Sequence, residues 1–391
     1  MNPGEAELAV PQTQRLRNRF DRMEWAGAFG DLGTLIPFVL AYISVMKLDP
    51  LGVLLGFGVC MVVSGLWYRT PFPVQPMKAL GAVATTQAAQ TATITPHAVY
   101  GAGLVTGIIW LVLGLTGTTR WITKFVSRPV VVGIVLGLGL GFMLEGIKLM
   151  ALGWLLSVAV LFVALLLLSS RRVPAMFALL IGGATLAVIR EPALLDALRS
   201  VKIEARLPSF ALAGITWSDF VIGLVFLAIP QVPLTLGNAM IAIVEENNRL
   251  FPNRPVSERS VSISTGLMNL FSAGIGGVPM CHGAGGMAGH VRFGAQTGGA
   301  VIILGTLLIV LGLFFSGSIE IIFSVIPREI LGVILFLTGA QLALGSCDFG
   351  EDKGERFVAI VTAGLSMWNI GLAFVVGLSV FHLLKRGWMR L

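Results

Sequence analysis

Two short polar stretches interrupt an otherwise apolar chain, and both contain a Pro-Met pair. The first covers residues 73–78, with the sequence PVQPMK, and the second covers residues 277–283, with the sequence GVPMCHG. In a bilayer, unwound backbone is tolerated only where protein or a water-filled cavity satisfies its polar groups. A helix start carries unpaired N–H groups and a partial positive charge, so two facing helix starts form a site for an anion. The stretches therefore predict two half-helices, beginning near Pro76 and Pro279, whose N-termini face one anion site.

Lys78 and His282 are the basic side chains that this spacing places in the first turns of the half-helices. A cation in the hydrocarbon region is costly and usually functional, so Lys78 needs an anion, a carboxylate or water beside it. One interpretation is that Lys78 contacts the bound anion, and the other is that it pairs with a fixed acid such as Asp31. His282 can donate hydrogen bonds to an oxyanion or change its charge, or it can stay neutral and satisfy a neighbouring carbonyl.

Neutral polar residues across the predicted site offer further hydrogen bonds. Gln231, Thr235 and Asn238 follow one another at i, i+4 and i, i+3 steps and therefore share one helix face. They can hold an oxyanion without adding charge, or they can join helices by hydrogen bonds within the membrane. Both interpretations are open from the residues alone.

Asp31 is the deepest acid that can be placed in the first half of the chain. It is a candidate proton carrier or the partner of Lys78, and a role at a helix end or hinge is equally open. Cys281 stands beside His282 without a second ligand pair at helical spacing, so we expect a small packing residue rather than a metal ligand. We expect neither a metal nor a cofactor. The predicted substrate-binding residues are Thr34, Gln75, Met77, Lys78, Gln231, Thr235, Asn238, Met280, Cys281, His282 and Gly283, with Asp31 as the proton-coupling candidate.

The composition places these residues in a membrane protein. Of 391 residues, 55% are hydrophobic and 12% are charged, whereas soluble domains carry about 25% charged residues. The net charge of +7 is spread over span ends and short loops rather than one patch with aromatic residues, which excludes nucleic-acid binding. Three cysteines without a Cys-x-x-Cys spacing predict neither disulfides nor structural zinc. Residues 1–24 are polar and arginine-rich, so we expect a cytoplasmic N-terminal segment and no cleavable signal peptide.

The apolar stretches predict fourteen membrane segments, since a helix needs about 20 apolar residues to cross the hydrocarbon core. Seven segments are predicted at residues 25–46, 51–68, 76–91, 98–116, 125–145, 150–168 and 173–189. After a more polar connection at 190–216, seven more are predicted at residues 217–246, 258–275, 281–292, 297–315, 326–345, 356–369 and 370–386. The last two are also compatible with one long helix. The predicted fold class is an all-α polytopic membrane protein.

The two halves of the chain resemble each other at three places. Residues 36–41 resemble 232–237, the pair at 76–77 recurs at 279–280, and 127–129 resemble 327–329, at offsets of 196, 203 and 200 residues. Because seven is odd, the second copy lies upside down, which gives an inverted repeat with a pseudo-two-fold axis in the membrane plane. The first repeat covers residues 25–189 and the second covers residues 217–391. Basic residues collect in the loops that this topology places inside, which indicates cytoplasmic termini.

Several of these motifs together resemble a known family. They are GDLGT at 30–34 with Pro37, PFPVQPMKA at 71–79, QVPLT at 231–235 with Asn238, and PMCHGAGG at 279–286 followed by Gly289 and RFGA at 292–295. They resemble the molybdate transporter family, which is related to the SulP sulfate transporters. The resemblance covers nearly the whole membrane part, and the CHGAGG stretch is its most specific motif.

The resemblance implies a core domain and a gate domain, as in the nucleobase transporters of the same superfamily. Segments 1–4 and 8–11 would form the core, segments 5–7 and 12–14 would form the gate, and a tetrahedral oxyanion would lie between the third and tenth segments. Helix-start N–H groups would bind this anion, helped by Gln75, Lys78, Gln231, Asn238 and His282. SulP transporters typically end in a cytoplasmic STAS domain, and we expect none after the last segment here.

Residues and resemblance together predict a secondary transporter, not an enzyme. We expect it to import molybdate or a close tetrahedral oxyanion by alternating access, as a multi-pass protein of the cell inner (plasma) membrane. The expected partners are the oxyanion, membrane lipid and a second copy of the chain. Alternatives are a sulfate or other anion transporter or channel of the same fold and, with less support, a nucleobase-type symporter.

Overall fold

The computed structural model of the chain consists almost entirely of helices. It describes residues 17–44, 46–77, 94–119, 127–168, 170, 175–344, 352–368 and 370–389. The helices before residue 200 are α1 (Arg22–Ala28), α2 (Leu32–Ser44), α3 (Pro50–Tyr68), α4 (Pro96–Thr116), α5 (Arg128–Met150), α6 (Trp154–Leu167), α7 (Ala175–Arg190) and α8 (Ala193–Arg199). Those after it are α9 (Trp217–Ile222), α10 (Ile229–Leu234), α11 (Ile243–Leu250), α12 (Glu258–Gly274), α13 (Ala284–Arg292), α14 (Gly299–Phe315), α15 (Ile319–Ser324), α16 (Arg328–Leu344), α17 (Lys353–Ser366) and α18 (Ile370–Lys385). Two short strands are β1 (Gln75–Pro76) and β2 (Met280–Cys281).

The sequence signals at several helix starts explain why the helices begin where they do. Asp49 caps α3 by accepting from Leu51 N, and Thr95 caps α4 by accepting from Ala98 N. A proline follows each cap, where its missing N–H would have had no acceptor. The start of α13 differs, because Gly283 occupies the cap position and offers no side-chain acceptor. The first N–H groups of α13 are therefore not satisfied by a capping side chain.

Four helical stretches of the described chain are long and apolar enough to cross a membrane. They are Pro50–Tyr68, Pro96–Thr116, Arg128–Leu167 and Gly299–Ser324. A fifth results if α7 and α8, which are bent by 109° at their junction, are counted as one span. Many of the other predicted segments coincide with shorter helices, so the number fourteen and the arrangement in two sets of seven stay predictions.

Two predicted segments contain irregular turns. A 3-10 turn at Phe29–Asp31 interrupts the segment predicted at 25–46. The segment predicted at 217–246 contains π-helical stretches at Gly223–Ala228 and Thr235–Ala242. Such stretches are rare and are frequently found at functional sites. Both irregularities fall near residues that the sequence places at the anion site.

The two predicted half-helices differ in how much of them can be described. The second begins at Ala284 rather than at residue 281, because residues 280–281 form β2 instead of a helical turn. His282 therefore precedes the helix, which corrects its predicted position in the first turn. Lys78 and nearly all of the first half-helix, predicted at 76–91, lie outside the described residues.

Helices that begin 200 residues apart pack against each other in opposite directions. A Cβ on Gly339 of α16 would lie 2.5 Å from Gly139 O of α5, and one on Gly146 of α5 would lie 2.7 Å from Gly332 O of α16. Residue numbers rise along α5 as they fall along α16, so the helices are antiparallel. Two equivalent helices pack antiparallel in this way when a two-fold axis perpendicular to both relates them. An inverted repeat has such an axis, so the packing favours the predicted inverted repeat.

The two halves of the chain also pack on each other reciprocally. Helix α3 of the first half packs on α14 of the second, and α12 of the second half packs on α4 of the first. Helix α12 corresponds to α3, because α12 follows the π-containing segment of the second half as α3 follows α2 in the first. In the first pair a Cβ on Gly58 would lie 2.7 Å from Gly305 O, and one on Gly305 would lie 2.6 Å from Gly58 O. Small residues therefore let the backbones of the two halves approach closely, as is common between membrane helices.

We expect Gly339→Ala to destabilise the protein, because the new methyl group would overlap the Gly139 carbonyl at 2.5 Å. Overpacking of this kind costs about 1–3 kcal/mol. Thermal unfolding of the purified protein in detergent measures the loss as a lower Tm. Gly141→Ala is the matched control, since a Cβ there meets nothing within 4 Å. Equal Tm values for the two variants would contradict the close helix crossing.

Candidate functional site

The two Pro-Met stretches meet as a two-stranded antiparallel ribbon. Gln75 pairs with Cys281 and Pro76 pairs with Met280, and Met77 N donates to Pro279 O at 3.1 Å. The side chains of residues 75–77 and 279–281 are all buried. The sequence prediction that the two breaks face each other is in agreement with this pairing. Short extended segments, rather than two helix tips in direct contact, bring them together.

Helix α12 fixes the position of β2 through side chains that cap its backbone. Asn269 Nδ2 donates to Met280 O at 2.6 Å, and Asn269 Oδ1 accepts from Met280 N at 3.0 Å. Ser272 Oγ donates to Val278 O at 2.8 Å on the approach to the strand. Both side chains are fully buried. An extended segment inside the protein is thereby supplied with the hydrogen bonds that a helix would have given it.

A carboxylate holds the Gln75 amide in one orientation. Gln75 Nε2 donates to Asp31 Oδ1 at 2.7 Å and to Asp31 Oδ2 at 2.8 Å, and it lies 3.2 Å from Thr34 Oγ1. Thr34 Oγ1 also donates to the Asp31 carboxylate. An ionised carboxylate only accepts, so the amide nitrogen of Gln75 faces Asp31 and the amide oxygen faces away. Three predicted residues, Asp31, Thr34 and Gln75, therefore form one buried cluster.

Two amide side chains converge on the start of α13. A Cβ on Gly283 would lie 2.2 Å from Gln75 Oε1 and 3.2 Å from Asn238 Nδ2, so only glycine leaves room for both. One turn along, a Cβ on Gly286 would lie 2.8 Å from Asp31 Oδ2. The first turn of α13 thus presents bare backbone to side chains from both halves of the chain. Bare N–H groups at a helix start, with amides beside them, are suited to holding an anion.

Gln75 Oε1 and Asn238 Oδ1 are buried and accept no hydrogen bond from the described residues. Buried polar atoms in folded proteins are nearly always satisfied, and exceptions are frequent at binding sites. Each of these oxygens needs a donor, which a water molecule or a protonated oxygen of a ligand can supply. The site therefore combines N–H donors at the helix start with two unsatisfied acceptors beside them.

His282 lies next to this site, and both of its ring nitrogens have partners. Nδ1 lies 2.8 Å from Pro73 O, and because a carbonyl only accepts, Nδ1 donates. Nε2 lies 2.7 Å from Ser264 Oγ. The ring packs edge-on against Phe72 and Tyr68 at centroid distances of 4.8 and 5.6 Å. Direct contact with a substrate would require His282 to exchange one of these bonds, so its role in binding stays a prediction.

The other predicted residues lie near the ribbon and near Asn238. Gln231 Nε2 donates to Thr235 Oγ1 at 3.0 Å, so these two side chains bond to each other one turn before Asn238. Met77 and Met280 are fully buried, and Cys281 is buried and forms no disulfide with another described residue. Within the described ranges no group of three or more His, Cys, Asp and Glu side chains could hold a metal ion.

Sequence reasoning missed three residues of the site's surroundings: Ser264, Asn269 and His290. His290 is buried in α13, with Nδ1 2.8 Å from Gly27 O and with no partner at Nε2 among the residues that the structure describes. A signal for Asn269 was available, because Ser262, Thr265, Asn269 and Ser272 form a polar stripe at helical spacing inside an apolar segment. His290 also carried a signal, as an ionisable side chain within the segment predicted at 281–292.

Comparisons with known proteins identify relatives of the chain. A family model described as "Molybdate transporter of MFS superfamily" matches residues 23–142 and 223–342. "Molybdate transporter 2" of Arabidopsis thaliana is 34% identical over 95% of this chain and 89% of that relative. "Molybdate transporter 1" of the same organism is 32% identical over 93% of this chain and 88% of that relative.

Solved structures of anion transporters have a similar fold. The transmembrane domain of the cyanobacterial bicarbonate transporter BicA aligns with a TM-score of 0.56 and 17% identity, over 93% of this chain and 98% of that one. Murine Slc26a9 in its inward-facing state aligns with a TM-score of 0.62 and 11% identity, over 96% of this chain and 70% of that one. At these identities the likeness concerns the fold alone.

The sequence matches settle the family. Both matched stretches of the family model are in the membrane part, and the relatives, which are named as transporters and not as enzymes, extend over nearly the whole chain. The resemblance inferred from the motifs is therefore confirmed: this multi-pass membrane protein belongs to the molybdate transporter family.

Proposed function

We propose that the chain is a secondary active transporter that imports molybdate, or a close tetrahedral oxyanion, by alternating access. The observation that carries the proposal is the start of α13, where Gly283 leaves room for Gln75 Oε1 and Asn238 Nδ2 beside helix-start N–H groups that no side chain caps. Such a start attracts a doubly negative ion without a fixed positive charge. The names of the relatives supply the identity of the anion.

Alternating access is supported by the packing of the two halves. Equivalent helices α5 and α16 cross antiparallel, and the two stretches matched by the family model are offset by 200 residues, from 23 to 223. Two inverted copies of one unit can exchange conformations, which opens the same site first to one side and then to the other. In this proposal the elements around the ribbon are the core and the elements around α5 and α16 are the gate. We place both termini in the cytoplasm of a plasma-membrane protein, because basic residues collect on that side.

Asp31 is the proposed proton-coupling residue. Only the side-chain amide of Gln75 separates the Asp31 carboxylate from the proposed anion site, since the carboxylate accepts hydrogen bonds from Gln75 Nε2. An anion next to Asp31 is repelled less when a proton accompanies it, so uptake would follow an inward proton gradient. Gln75 Oε1 can accept a hydrogen bond from a protonated oxyanion in the same place.

Uptake into proteoliposomes tests the proposed function. We expect labelled molybdate to accumulate with saturation, tungstate to compete strongly, sulfate to compete less and uracil not to compete. Uptake driven by an imposed proton gradient would support coupling, whereas flux without saturation or counter-flow would favour a channel. Competition by uracil without transport of molybdate would overturn the oxyanion assignment.

A further inference from the structure

An apolar groove runs between α3 and α12 on the outside of the protein. It encloses about 580 Å³. Large apolar side chains form its rims, and several are strongly exposed: Val63, Trp67, Leu267 and Phe271. Exposed apolar surface of this size on a membrane-spanning helix faces lipid rather than water. The candidate anion site lies behind the groove, and His282, which lines the groove, lies between the two.

One end of the groove carries a positive charge and an aromatic side chain. Arg259 and Trp67 line this end, where α3 ends and α12 begins. Arg259 Nε donates to Gly114 O at 3.2 Å, and one Nη donates to Leu115 O at 3.3 Å. A guanidinium has five N–H groups, so three remain for another acceptor. Arginine and tryptophan at the end of a span are typical of the interface where lipid headgroups lie.

The length of the groove matches one extended acyl chain. Its lining on α12 runs from Arg259 to Phe271, twelve residues apart, which corresponds to about 18 Å of helix. The charged end of the groove therefore suits a phospholipid headgroup, and the apolar remainder suits one acyl chain of the same lipid.

The inner wall of the groove consists of a hydrogen-bonded chain that leads to the anion site. Ser264 Oγ lies 2.7 Å from Tyr68 Oη and 2.7 Å from His282 Nε2. His282 Nδ1 in turn bonds to Pro73 O, two residues before Gln75. Water entering the groove would compete for these bonds, whereas an acyl chain would exclude it.

We propose that the groove binds one acyl chain of an anionic phospholipid, whose headgroup phosphate accepts hydrogen bonds from Arg259. The bound chain covers Ser264 and keeps His282 bonded to the backbone before β1. Lipid occupancy thereby stabilises the ribbon, and it does so whether or not the transported ion is molybdate.

Native mass spectrometry and thermal unfolding in detergent test the lipid site. We expect the purified wild type to retain one phospholipid per chain, and added phosphatidylglycerol to raise the Tm more than phosphatidylcholine or free oleate does. Leu267→Trp fills the groove and should abolish both effects. Val112→Trp is the matched control on α4, because Val112 is 52% exposed but does not line the groove. We expect it to behave as the wild type does.

The headgroup contact is tested with Arg259→Gln. Loss of a charge-assisted hydrogen bond should raise the phosphatidylglycerol concentration for half-maximal stabilisation about tenfold. Arg259→Lys should restore most of the response. Retention of lipid by Leu267→Trp, an unchanged response in Arg259→Gln, or a response to oleate alone would overturn the proposal. A change of oligomeric mass in Leu267→Trp with unchanged lipid content would identify the groove as a contact between copies instead.

Discussion

Gly283→Ala is expected to abolish most molybdate uptake while leaving the protein folded. The new methyl group would lie 2.2 Å from Gln75 Oε1 and 3.2 Å from Asn238 Nδ2, where the ion is proposed to bind. The cap residue has φ −154°, an extended conformation that alanine adopts without strain, so the effect arises from the site and not from the backbone. Displacing these amides costs about 1–3 kcal/mol, which corresponds to a fall in uptake of up to about 100-fold.

Initial rates of labelled molybdate uptake in proteoliposomes measure this change. Gly182→Ala serves as the control, because a Cβ at Gly182 meets nothing within 4 Å, and its uptake should equal that of the wild type. Wild-type uptake and a wild-type KM in Gly283→Ala would show that the ion does not bind at the start of α13.

Asp31→Ala is expected to lower uptake strongly through the orientation of Gln75. The substitution removes an acceptor at 2.7 and 2.8 Å from Gln75 Nε2 and leaves this amide nitrogen buried without it. A buried donor without its partner costs about 1–3 kcal/mol, so we expect a fall in uptake of at least about tenfold together with a lower Tm.

Asp31→Asn separates the two roles of this residue. Its side-chain oxygen can still accept from Gln75, so uptake should partly recover, but it cannot carry a proton, so the residual uptake should no longer respond to a pH gradient. Asp196→Ala is the control, since Asp196 is exposed and, among the described residues, forms its ion pair with Arg199. Full gradient-driven uptake by Asp31→Asn would rule out Asp31 as the proton carrier.

The sequence allowed the residues of the candidate site to be singled out because polar residues are rare in apolar segments. The Pro-Met pairs and the residues Asp31, Thr34, Gln75 and Asn238 stood out for this reason, and the structure brings them together around Gly283. Helix bounds such as 51–68 and 98–116 were predictable as well, since each follows a capping residue and a proline. Signals of this kind depend only on residues that are neighbours in the sequence.

Features that depend on contacts between distant residues could not be predicted. The extended pairing of Gln75 with Cys281 replaces a helical turn only because Asn269 supplies hydrogen bonds to Met280 from another helix. For the same reason His282 was placed inside a helix that begins two residues later. Intrinsic preferences are weak, and tertiary hydrogen bonds override them at such places.

The ribbon between the two halves has a consequence for where the protein can bend. Each strand has only two residues, so sliding one strand past the other would break all the cross-strand bonds of the ribbon at once. Asn269 bonds to both the N–H and the carbonyl of Met280 and so ties β2 to α12. We therefore expect the ribbon, α12 and α13 to travel as one rigid body. Hinges would then be found at its borders, such as the Gly294 turn after α13 with its φ of +110°, and the ion would be carried along with its binding groups instead of being passed between them.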